Sequence, residues 1–291
     1  MTSVDLAKSL EGWQPGTVEM RRTVDPWPAA AFAGLIGTPV PPLGAGDPLP
    51  PLWHWFTLLD HPAQAELGVD GHPAAGPFYP PIPGRRRMFA GGRLRQEAPI
   101  PVGAELSSRS GVAAVTVKSG RSGQLAFVTV RHELAVDGAV VGVEEQDLVY
   151  RSEPEDAAPR AVSRPETGQP EPAGEWRLGL PVDTVLLFRF SALTYNGHRI
   201  HYDAPYATQV EGYPDLVVHG PLMALLALEL PRLHAAGQTV RAFEYRLTRP
   251  AFAPGEILAA GRPGGPGGPL AEMSVGVRGA LPSLTATADL A

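Results

Sequence analysis

The sequence predicts an α+β protein built from two units, in each of which an antiparallel sheet curls around a helix. A leucine-rich run from Leu222 to Leu233 has helical spacing and is apolar nearly all round, so that helix must be buried. Strand-like segments separated by turn residues follow it. The first half repeats this order, with a helix-like segment near residues 26–37 and β segments after residue 87. A sheet wrapped around each helix would bury the apolar surface.

The composition is that of a soluble globular protein and argues against several functional classes. A chain of 291 residues is long enough for one or two domains with a sizeable core. The formal net charge of -6 argues against binding to nucleic acid or to an acidic membrane. The absence of cysteine excludes disulfides, thiolate nucleophiles and cysteine-ligated metals. No signal-peptide pattern and no apolar run of roughly 18 residues is present, so we expect a cytoplasmic protein.

The first half opens with a short amphipathic segment, residues 4–10, and an extended piece, residues 17–21. Asp25 and Pro26 before an alanine-rich run predict a capped helix that ends near residue 37. The aromatic cluster at residues 52–56 is as compatible with the core as with a ligand pocket. The turn-rich stretch from residue 61 to residue 83 is predicted to be a surface loop.

Three successive arginines, Arg85, Arg86 and Arg87, precede a glycine pair, Gly91 and Gly92, at the start of a predicted strand. One interpretation is a solvated basic patch. The other is a phosphate or carboxylate site, because guanidinium groups match these anions and glycine lets backbone amides approach them closely. Side chains alternate along a strand, so at most two of the three arginines could serve one ligand.

β-structure is predicted throughout residues 94–151. Asp137-Gly138 predicts a tight hairpin between strands at 124–136 and 139–150, and His132 in the first of these strands is interpreted as structural. Residues 152–175 contain no large apolar side chain except Val162 and are interpreted as a linker. The linker divides the chain into a first unit, residues 1–151, and a second unit, residues 176–291.

The second unit is predicted to begin with a strand over residues 183–191, which leads into a polar turn at residues 195–198. A buried helix should start near Gly220, with Pro221 in its first turn and Pro231 ending or kinking it. Strands are predicted at residues 240–247, 256–260, 271–278 and 284–290. The Gly/Pro cluster at 261–269 does not join a strand directly to a helix, so we do not interpret it as a nucleotide-binding loop.

Two groups of motifs resemble those of a known family. The second half carries Tyr195-Asn-Gly-His-Arg-Ile-His201 and Val217-Val-His-Gly-Pro-Leu222, and the first half carries Leu52-Trp-His-Trp55 and Arg86-Arg-Met-Phe-Ala-Gly-Gly92. They resemble the MaoC-like hot-dog-fold hydratases and dehydratases of enoyl thioesters. The most similar branch is that of mesaconyl-C4-CoA (3-methylfumaryl-CoA) hydratase and mitochondrial 3-hydroxyacyl-thioester dehydratase. The resemblance implies a double hot-dog fold in which the first unit is degenerate and binds substrate, while the second carries the hydratase motif.

The resemblance also implies a lyase that reversibly hydrates an α,β-unsaturated acyl thioester. His201 matches the family's catalytic histidine, and the ordinary pKa of histidine suits proton transfer. Asn196 occupies the position of the family's aspartate and cannot accept a proton, so we expect it to orient water or polarise the thioester. The Gly220 amide, at a helix N-terminus, is expected to bind the thioester oxygen. Asp203 could instead supply the missing carboxylate.

Substrate binding is expected from further residues of these motifs: the cations Arg86, Arg87 and Arg199 for a distal carboxylate, with Trp53, His54, His219 and Tyr195. The alternative for His198, Arg199 and His219 is a purely structural or exposed role. A metal site made of His198, His201 and His219 is not expected, because their spacing fits no standard site. No cofactor is expected, since CoA is part of the substrate.

Three other functions remain open at this point. They are a 3-hydroxyacyl-ACP dehydratase of fatty-acid or polyketide metabolism, a hot-dog thioesterase, and a non-catalytic acyl-thioester binding protein, which the asparagine at position 196 favours. The expected partner is an acyl-CoA or acyl-ACP, and neither nucleic acid nor a membrane is expected. A homodimer of double hot-dog chains is a further option.

Overall fold

The structure, a computed structural model, describes residues 4–120, 123–153, 161–264 and 270–291. Its helices are α1 (Leu6–Ser9), α2 (Pro26–Ile36), α3 (Thr184–Leu193) and α4 (Gly220–His234). The strands of the first half are β1 (Val18–Thr23), β2 (Pro48–Leu49), β3 (Arg85–Gln96), β4 (Ile100–Pro101), β5 (Glu105–Gly120), β6 (Gly123–Val136) and β7 (Ala139–Ser152). Those of the second half are β8 (Trp176–Val182), β9 (Val240–Leu247), β10 (Gly255–Arg262), β11 (Ala271–Val277) and β12 (Leu284–Leu290).

Ten of these strands form one antiparallel sheet in the order β1-β5-β6-β7-β3-β9-β12-β11-β10-β8. The first five strands in this order come from residues 18–152 and the last five from residues 176–290. The two sets meet where β3 pairs with β9, with Gly91 opposite Arg246 and Arg95 opposite Ala242. β2 and β4 pair separately. The predicted α+β class is therefore confirmed, whereas the boundaries of the two predicted units and their linker stay a prediction.

α4 is the buried helix that the leucine spacing predicts. Residues 222–231 are all buried, and the helix packs against β8, β10, β11 and β12. Burying one leucine side chain contributes roughly 1.5–3 kcal/mol, so this helix anchors the second half of the sheet. Pro221 lies in the first turn, where its missing N–H costs no hydrogen bond. The helix continues through Pro231 to His234, slightly farther than predicted.

α2 packs over the aromatic cluster of the first half. Asp25 caps the helix, since its Oδ1 accepts the N–H of Trp27 at 2.7 Å, and Gly37 ends it with a φ of 69°. Phe32 is fully buried, and its ring centre lies 5.1 Å from that of Trp53 and 4.9 Å from that of Phe56. The aromatic cluster is thus mainly core.

The strand predicted over residues 183–191 was wrong, because this segment forms α3. The Asp183 carboxylate accepts the N–H of Leu186 at 2.8 Å and so caps a helix. Leu186, Leu187 and Phe190 are buried at helical spacing. The strand lies just before it, as β8, which pairs with β10 at the edge of the sheet. The aromatic and β-branched residues of this stretch had suggested a strand, but an N-cap aspartate and tertiary packing favour the helix.

Other local predictions are confirmed. The tight hairpin between β6 and β7 has Asp137 at φ 50° and Gly138 at φ 79°, as a primed turn requires. β9 and β12 have the predicted bounds. The predicted linker and the Gly/Pro cluster fall partly outside the described residues. No helix within the described ranges combines the length and apolar composition needed to cross a bilayer.

Candidate active site

A cleft of about 1660 Å³ lies where the two halves of the chain meet. Part of the segment 58–73, including Leu58 and His72, and residues 87–90 of β3 line it from the first half. The second half contributes the segment 195–201, which we call the elbow, and the start of α4. Arg87, Asn196, His198, His201 and Gly220 all line this cleft. The structure thus brings the predicted catalytic residues into one cavity, larger than the roughly 300–1,000 Å³ of a typical ligand pocket.

His201 lies at the end of a short 3-10 helix, Arg199–His201, and is buried. Its Nδ1 lies 2.7 Å from the carbonyl oxygen of Val217. A carbonyl can only accept, so Nδ1 carries the proton and Nε2 keeps its lone pair. Burial lowers the pKa of His201 to about 4, against the opposing effect of the Val217 hydrogen bond. His201 is therefore neutral near pH 7, with Nε2 able to accept a proton.

His219 supports the ring of His201 from behind. The two rings stack with centres 3.6 Å apart, and His219 is fully buried, so it does not reach the cleft. Its Nε2 lies 2.9 Å from the Ser191 hydroxyl oxygen on α3. Burial holds the pKa of His219 well below its ordinary value. The position fits a neutral supporting residue rather than a substrate contact.

The start of α4 offers backbone donors to the cleft. His219 is the N-cap residue, but its side chain makes no capping hydrogen bond, and Pro221 has no N–H. The first N–H groups of a helix lack internal partners, and the helix dipole favours negative charge there. A Cβ added at Gly220 would lie 2.8 Å from Leu247 Cδ2 and 3.1 Å from Phe89 Cδ1. A glycine is therefore needed for the close packing that keeps this helix end in place.

Asn196 is a hydrogen-bond donor in this geometry. Its Oδ1 accepts the backbone N–H of His198 at 3.0 Å, so its Nδ2 group is left to donate. Its own N–H donates to the Ser191 carbonyl at 2.8 Å, which ties the elbow to α3. Tyr195 has a φ of 50° and is 61% exposed at the edge of the cleft. An asparagine held in this way can orient water or a thioester oxygen but cannot act as a base.

The loop predicted to lie at the surface supplies a histidine that sequence reasoning missed. The ring centre of His72 is 4.0 Å from that of His198, and the His198 ring centre is 5.4 Å from that of His201. Asp70 accepts the backbone N–H of His72 at 3.0 Å, and its other oxygen lies 3.3 Å from His72 Nδ1. The Asp-Gly-His spacing within a turn is the local signal that could have indicated this pair.

Burial governs the protonation of these groups. It lowers the pKa of His72, against the raising effect of Asp70, and it lowers the pKa of His198 far below the ordinary value. Burial also raises the pKa of Asp70, but the hydrogen bonds and charge of His72 outweigh it and hold that pKa below its usual value. Asp70 is therefore ionised beside His72. One potential ligand atom from each of Asp70, His72 and His198 lies within 4.8 Å of the others, so the three could also hold a cation.

Of the three predicted arginines, Arg87 is the one left for a ligand. Arg86 pairs with Glu153 and Glu211 and does not line the cleft. Arg199 lines it, but its Nη2 lies 2.7 Å from the Asp203 carboxylate. Arg87 lines the cleft, donates to the Tyr79 hydroxyl at 2.9 Å and pairs with no carboxylate among the described residues.

Asp203 is committed to Arg199 and to the N–H of Tyr206, and it does not line the cleft. Trp53 and His54 are buried in the core rather than in contact with the cleft. His54 Nε2 lies 2.6 Å from the buried Glu144, whose other oxygen accepts the Trp55 indole N–H at 2.8 Å. It is Trp55, held by this network, that lines the cleft.

Comparison with known proteins identifies the family. A family model described as hydroxyacyl-thioester dehydratase type 2 matches residues 52–253, which include the cleft-lining segments of both halves. The chain belongs to this family. It is a hydro-lyase of the hydratase and dehydratase type, and the family predicted from the motifs is confirmed.

Individual relatives agree with this assignment. Mesaconyl-C(4)-CoA hydratase of Chloroflexus aurantiacus is 47% identical over 239 residues, which are 81% of this chain and 83% of that protein. The mitochondrial hydroxyacyl-thioester dehydratase type 2 of Schizosaccharomyces pombe is 34% identical over 124 residues, 42% of this chain and 37% of that protein. The structure of a MaoC-like dehydratase from Phytophthora capsici has a TM-score of 0.67 at 14% identity and covers 98% of both chains. This likeness confirms the predicted hot-dog fold.

Proposed function

We propose that this hydro-lyase reversibly adds water to mesaconyl-C4-CoA or to a closely related dicarboxylic enoyl-CoA. The observation that carries the proposal is that Arg87, which pairs with no carboxylate among the described residues, lines the same cleft as His72, His198 and His201. In 3-methylfumaryl-CoA the free carboxylate is attached to Cβ, the carbon that receives the hydroxyl group. An enzyme for this substrate needs a cation next to the groups that handle water. The relative that is 47% identical acts, by its name, on this same thioester, which supports the choice.

The order of groups along the cleft supports this substrate. Gly220 begins α4, and His201 lies against that helix start through its bond to Val217 and its stacking on His219. The ring of His198 lies next to that of His201, and the ring of His72 lies next to that of His198. Arg87 lines the same cleft as His72 and His198, and its positive charge adds to the effect of burial in lowering the pKa of both histidines. A dicarboxylic enoyl thioester has the same order: thioester oxygen, Cα, Cβ and carboxylate.

In this arrangement the Gly220 amide binds the thioester oxygen. In the dehydration direction, His201 Nε2 takes the proton from Cα, and the electron pair moves toward the thioester oxygen as enolate charge. The helix N-terminus stabilises that charge, a type of contact worth roughly 10²–10³ in rate per donor. The hydroxyl group then takes up a proton and leaves Cβ as water, and hydration is the reverse. Asn196 Nδ2 donates to the water or to the thioester oxygen.

The deciding experiment is a panel of purified wild type and His201→Ala with mesaconyl-C4-CoA and crotonyl-CoA, followed by loss of enoyl absorbance. We expect hydration of mesaconyl-C4-CoA and a drop of about 10²- to 10⁴-fold in the variant, the usual contribution of a general base. A thiol reagent run in parallel detects thioester cleavage, with low background because the chain has no cysteine. Crotonyl-ACP beside crotonyl-CoA tests the choice of carrier. If the wild type hydrates no enoyl thioester, the proposed function is wrong.

A further inference from the structure

Hydration of an enoyl thioester moves protons at two different atoms. One proton leaves the water that bonds to Cβ, and another is added to Cα. His201 lies at the Cα end of the site, and Asn196 cannot accept a proton. A second proton-transfer group near Cβ, on the side of the cleft where Arg87 lies, would handle the proton of the water while His201 acts at Cα.

We propose that His72, held by Asp70, exchanges the proton with the water that joins or leaves Cβ. This assignment rests on the proposed hydratase function and adds to it a catalytic residue from the first half of the chain. The Asp70 carboxylate can only accept, so His72 Nδ1 carries a proton and donates it toward Asp70. The other ring nitrogen, Nε2, is then free for water. The His72 side chain is 19% exposed and lines the cleft, so that nitrogen can be reached by substrate.

The backbone holds this histidine firmly against the elbow. The N–H of Arg199 donates to the carbonyl of Asp70 at 2.9 Å. Gly71, with a φ of 84°, approaches Gly197 so closely that a Cβ at Gly71 would lie 1.9 Å from the Gly197 carbonyl oxygen. Both sides of the contact are glycine, and the loop is therefore seated directly on the motif that carries Asn196.

The other carboxylates and histidines that line the described part of the cleft fit this role less well. Glu211 is bound by Arg86 and by the Tyr206 hydroxyl. Asp60 is exposed and accepts the neighbouring backbone N–H. His198 lies between the rings of His72 and His201. Burial opposes a positive charge on His198, and protonation of either neighbouring ring would oppose it further. His72 alone combines access to the cleft with an ionised carboxylate partner.

The reaction balances when His72 and His201 together carry one extra proton. In the dehydration direction, neutral His201 takes the proton from Cα, and the imidazolium of His72 gives its Nε2 proton to the hydroxyl group as the Cβ–O bond breaks. Water leaves, and the double bond forms between Cα and Cβ. Solvent then returns the proton from His201 to His72. Hydration runs these steps backwards. Burial lowers the pKa of both histidines. Of the two, His72 is the one with a carboxylate beside it to hold the proton, since His201 has no carboxylate partner among the described residues.

The test compares His72→Gln, Asp70→Asn and wild type on an enoyl-CoA that the wild type hydrates. We expect kcat to fall at least about 100-fold in His72→Gln and about 10-fold in Asp70→Asn, within the range of general acid–base catalysis. Circular dichroism and thermal melting verify the fold, and Asp70→Asn tests the same pair if His72→Gln is unstable. His61→Gln is the matched control, because His61 is an exposed histidine of the same loop that does not line the cleft. We expect it to keep wild-type kcat.

A second measurement separates a catalytic role from a structural one. The hydration product is incubated in D₂O, and deuterium at Cα is followed by mass spectrometry. His72→Gln should still exchange the Cα proton faster than it releases water, because His201 is intact, whereas His201→Ala should lose both reactions. Equal loss of exchange and turnover in His72→Gln, or kcat within threefold of wild type, would overturn the assignment.

Two further outcomes distinguish the acid–base role of His72 from a metal site and from a failure of the proposed function itself. Wild type treated with EDTA should keep its activity. Loss of activity that Zn²⁺ restores would instead assign Asp70, His72 and His198 to a metal site and contradict the acid–base role. If the wild type hydrates enoyl-CoA but His72→Gln is unaffected, this inference is wrong while the proposed function stands. A wild type without activity on the whole panel would remove both.

Discussion

Replacing Arg87 with glutamine should remove the preference for a dicarboxylic substrate and leave the hydration chemistry intact. Arg87 is partly buried in the cleft and has no carboxylate partner among the described residues, so its charge is available to the substrate. A hydrogen bond to a charged group contributes about 1.5–3 kcal/mol. At about 1.36 kcal/mol per tenfold change in rate, kcat/KM for mesaconyl-C4-CoA should fall roughly 10- to 150-fold.

Crotonyl-CoA makes a useful comparison, because its Cβ carries a methyl group but no carboxylate. The assay measures kcat/KM for both thioesters with wild type and Arg87→Gln. We expect the crotonyl-CoA value to stay within about threefold, since the arginine makes no contact that this substrate needs. Arg262→Gln controls for loss of a positive charge, because Arg262 is exposed and pairs with Glu272 away from the cleft. An equal fall for both substrates, or none for the dicarboxylic one, would refute the reasoning.

Two other predictions concern Gly220 and Glu144. Gly220→Ala should lower kcat roughly 10- to 100-fold, because its Cβ would meet Leu247 at 2.8 Å and displace the amide of the helix start. Gly34→Ala, in α2 with nothing within 4 Å of the added Cβ, is the control and should keep wild-type kcat. Burial raises the pKa of Glu144, but the hydrogen bond and charge of His54 outweigh this effect. The pKa of Glu144 is therefore about 2 instead of 4.5. The ionised Glu144 carboxylate therefore stabilises the folded protein by about 3 kcal/mol above pH 4.5, and this stabilisation is lost as the pH falls through about 2. Urea unfolding of wild type and Glu144→Gln at pH 7 and pH 3 should show the difference between them shrinking at the lower pH; a constant difference would contradict this linkage.

The parts of the fold that depend on local pattern could be predicted from the sequence. The leucine spacing of α4, the Asp137-Gly138 turn and the Asp25 cap each specify their element through neighbouring residues. The elbow and the start of α4 could be placed together because their motifs resemble a family. α3 could not be predicted correctly, because its aromatic and β-branched residues, Phe188 among them, also suit a strand. Only packing against α2 and the Asp183 cap favour the helix.

The parts of the site that depend on contacts between the two halves could not be predicted. His72 looked like one polar residue of a surface loop, because nothing local indicates that its ring will meet His198. The sequence alone does not distinguish Arg85, Arg86 and Arg87 as candidates for binding an anion. Alternation along the strand limited the number that could share a ligand, but the pairing of Arg86 with Glu211 is a tertiary fact.

The glycine pair in β3, Gly91 and Gly92, has a role in strand pairing. The sequence suggests another role, in which their backbone amides approach an anion, and that role stays a prediction. In the structure, a Cβ at Gly91 would lie 2.4 Å from the Tyr245 carbonyl oxygen, and one at Gly92 would lie 2.7 Å from the Tyr245 hydroxyl. The glycines therefore allow β3 to pair closely with β9, where the two halves of the sheet join.

This pairing has a consequence for catalysis. Arg87 lies on β3, a few residues before the glycine pair, so the position at which β3 joins β9 also sets where its guanidinium enters the cleft. The first-half loop with His72 is joined to the elbow directly, through the hydrogen bond from the Arg199 N–H to the Asp70 carbonyl. The proposed Cβ-side groups thus come from the first half, and the Cα-side base and the thioester donor come from the second. A substitution such as Gly92→Ala, remote from the substrate, should accordingly lower kcat/KM for the dicarboxylic thioester by moving the two sets of groups apart. The crotonyl-CoA comparison would show this as a fall for both substrates, unlike the selective loss expected for Arg87→Gln.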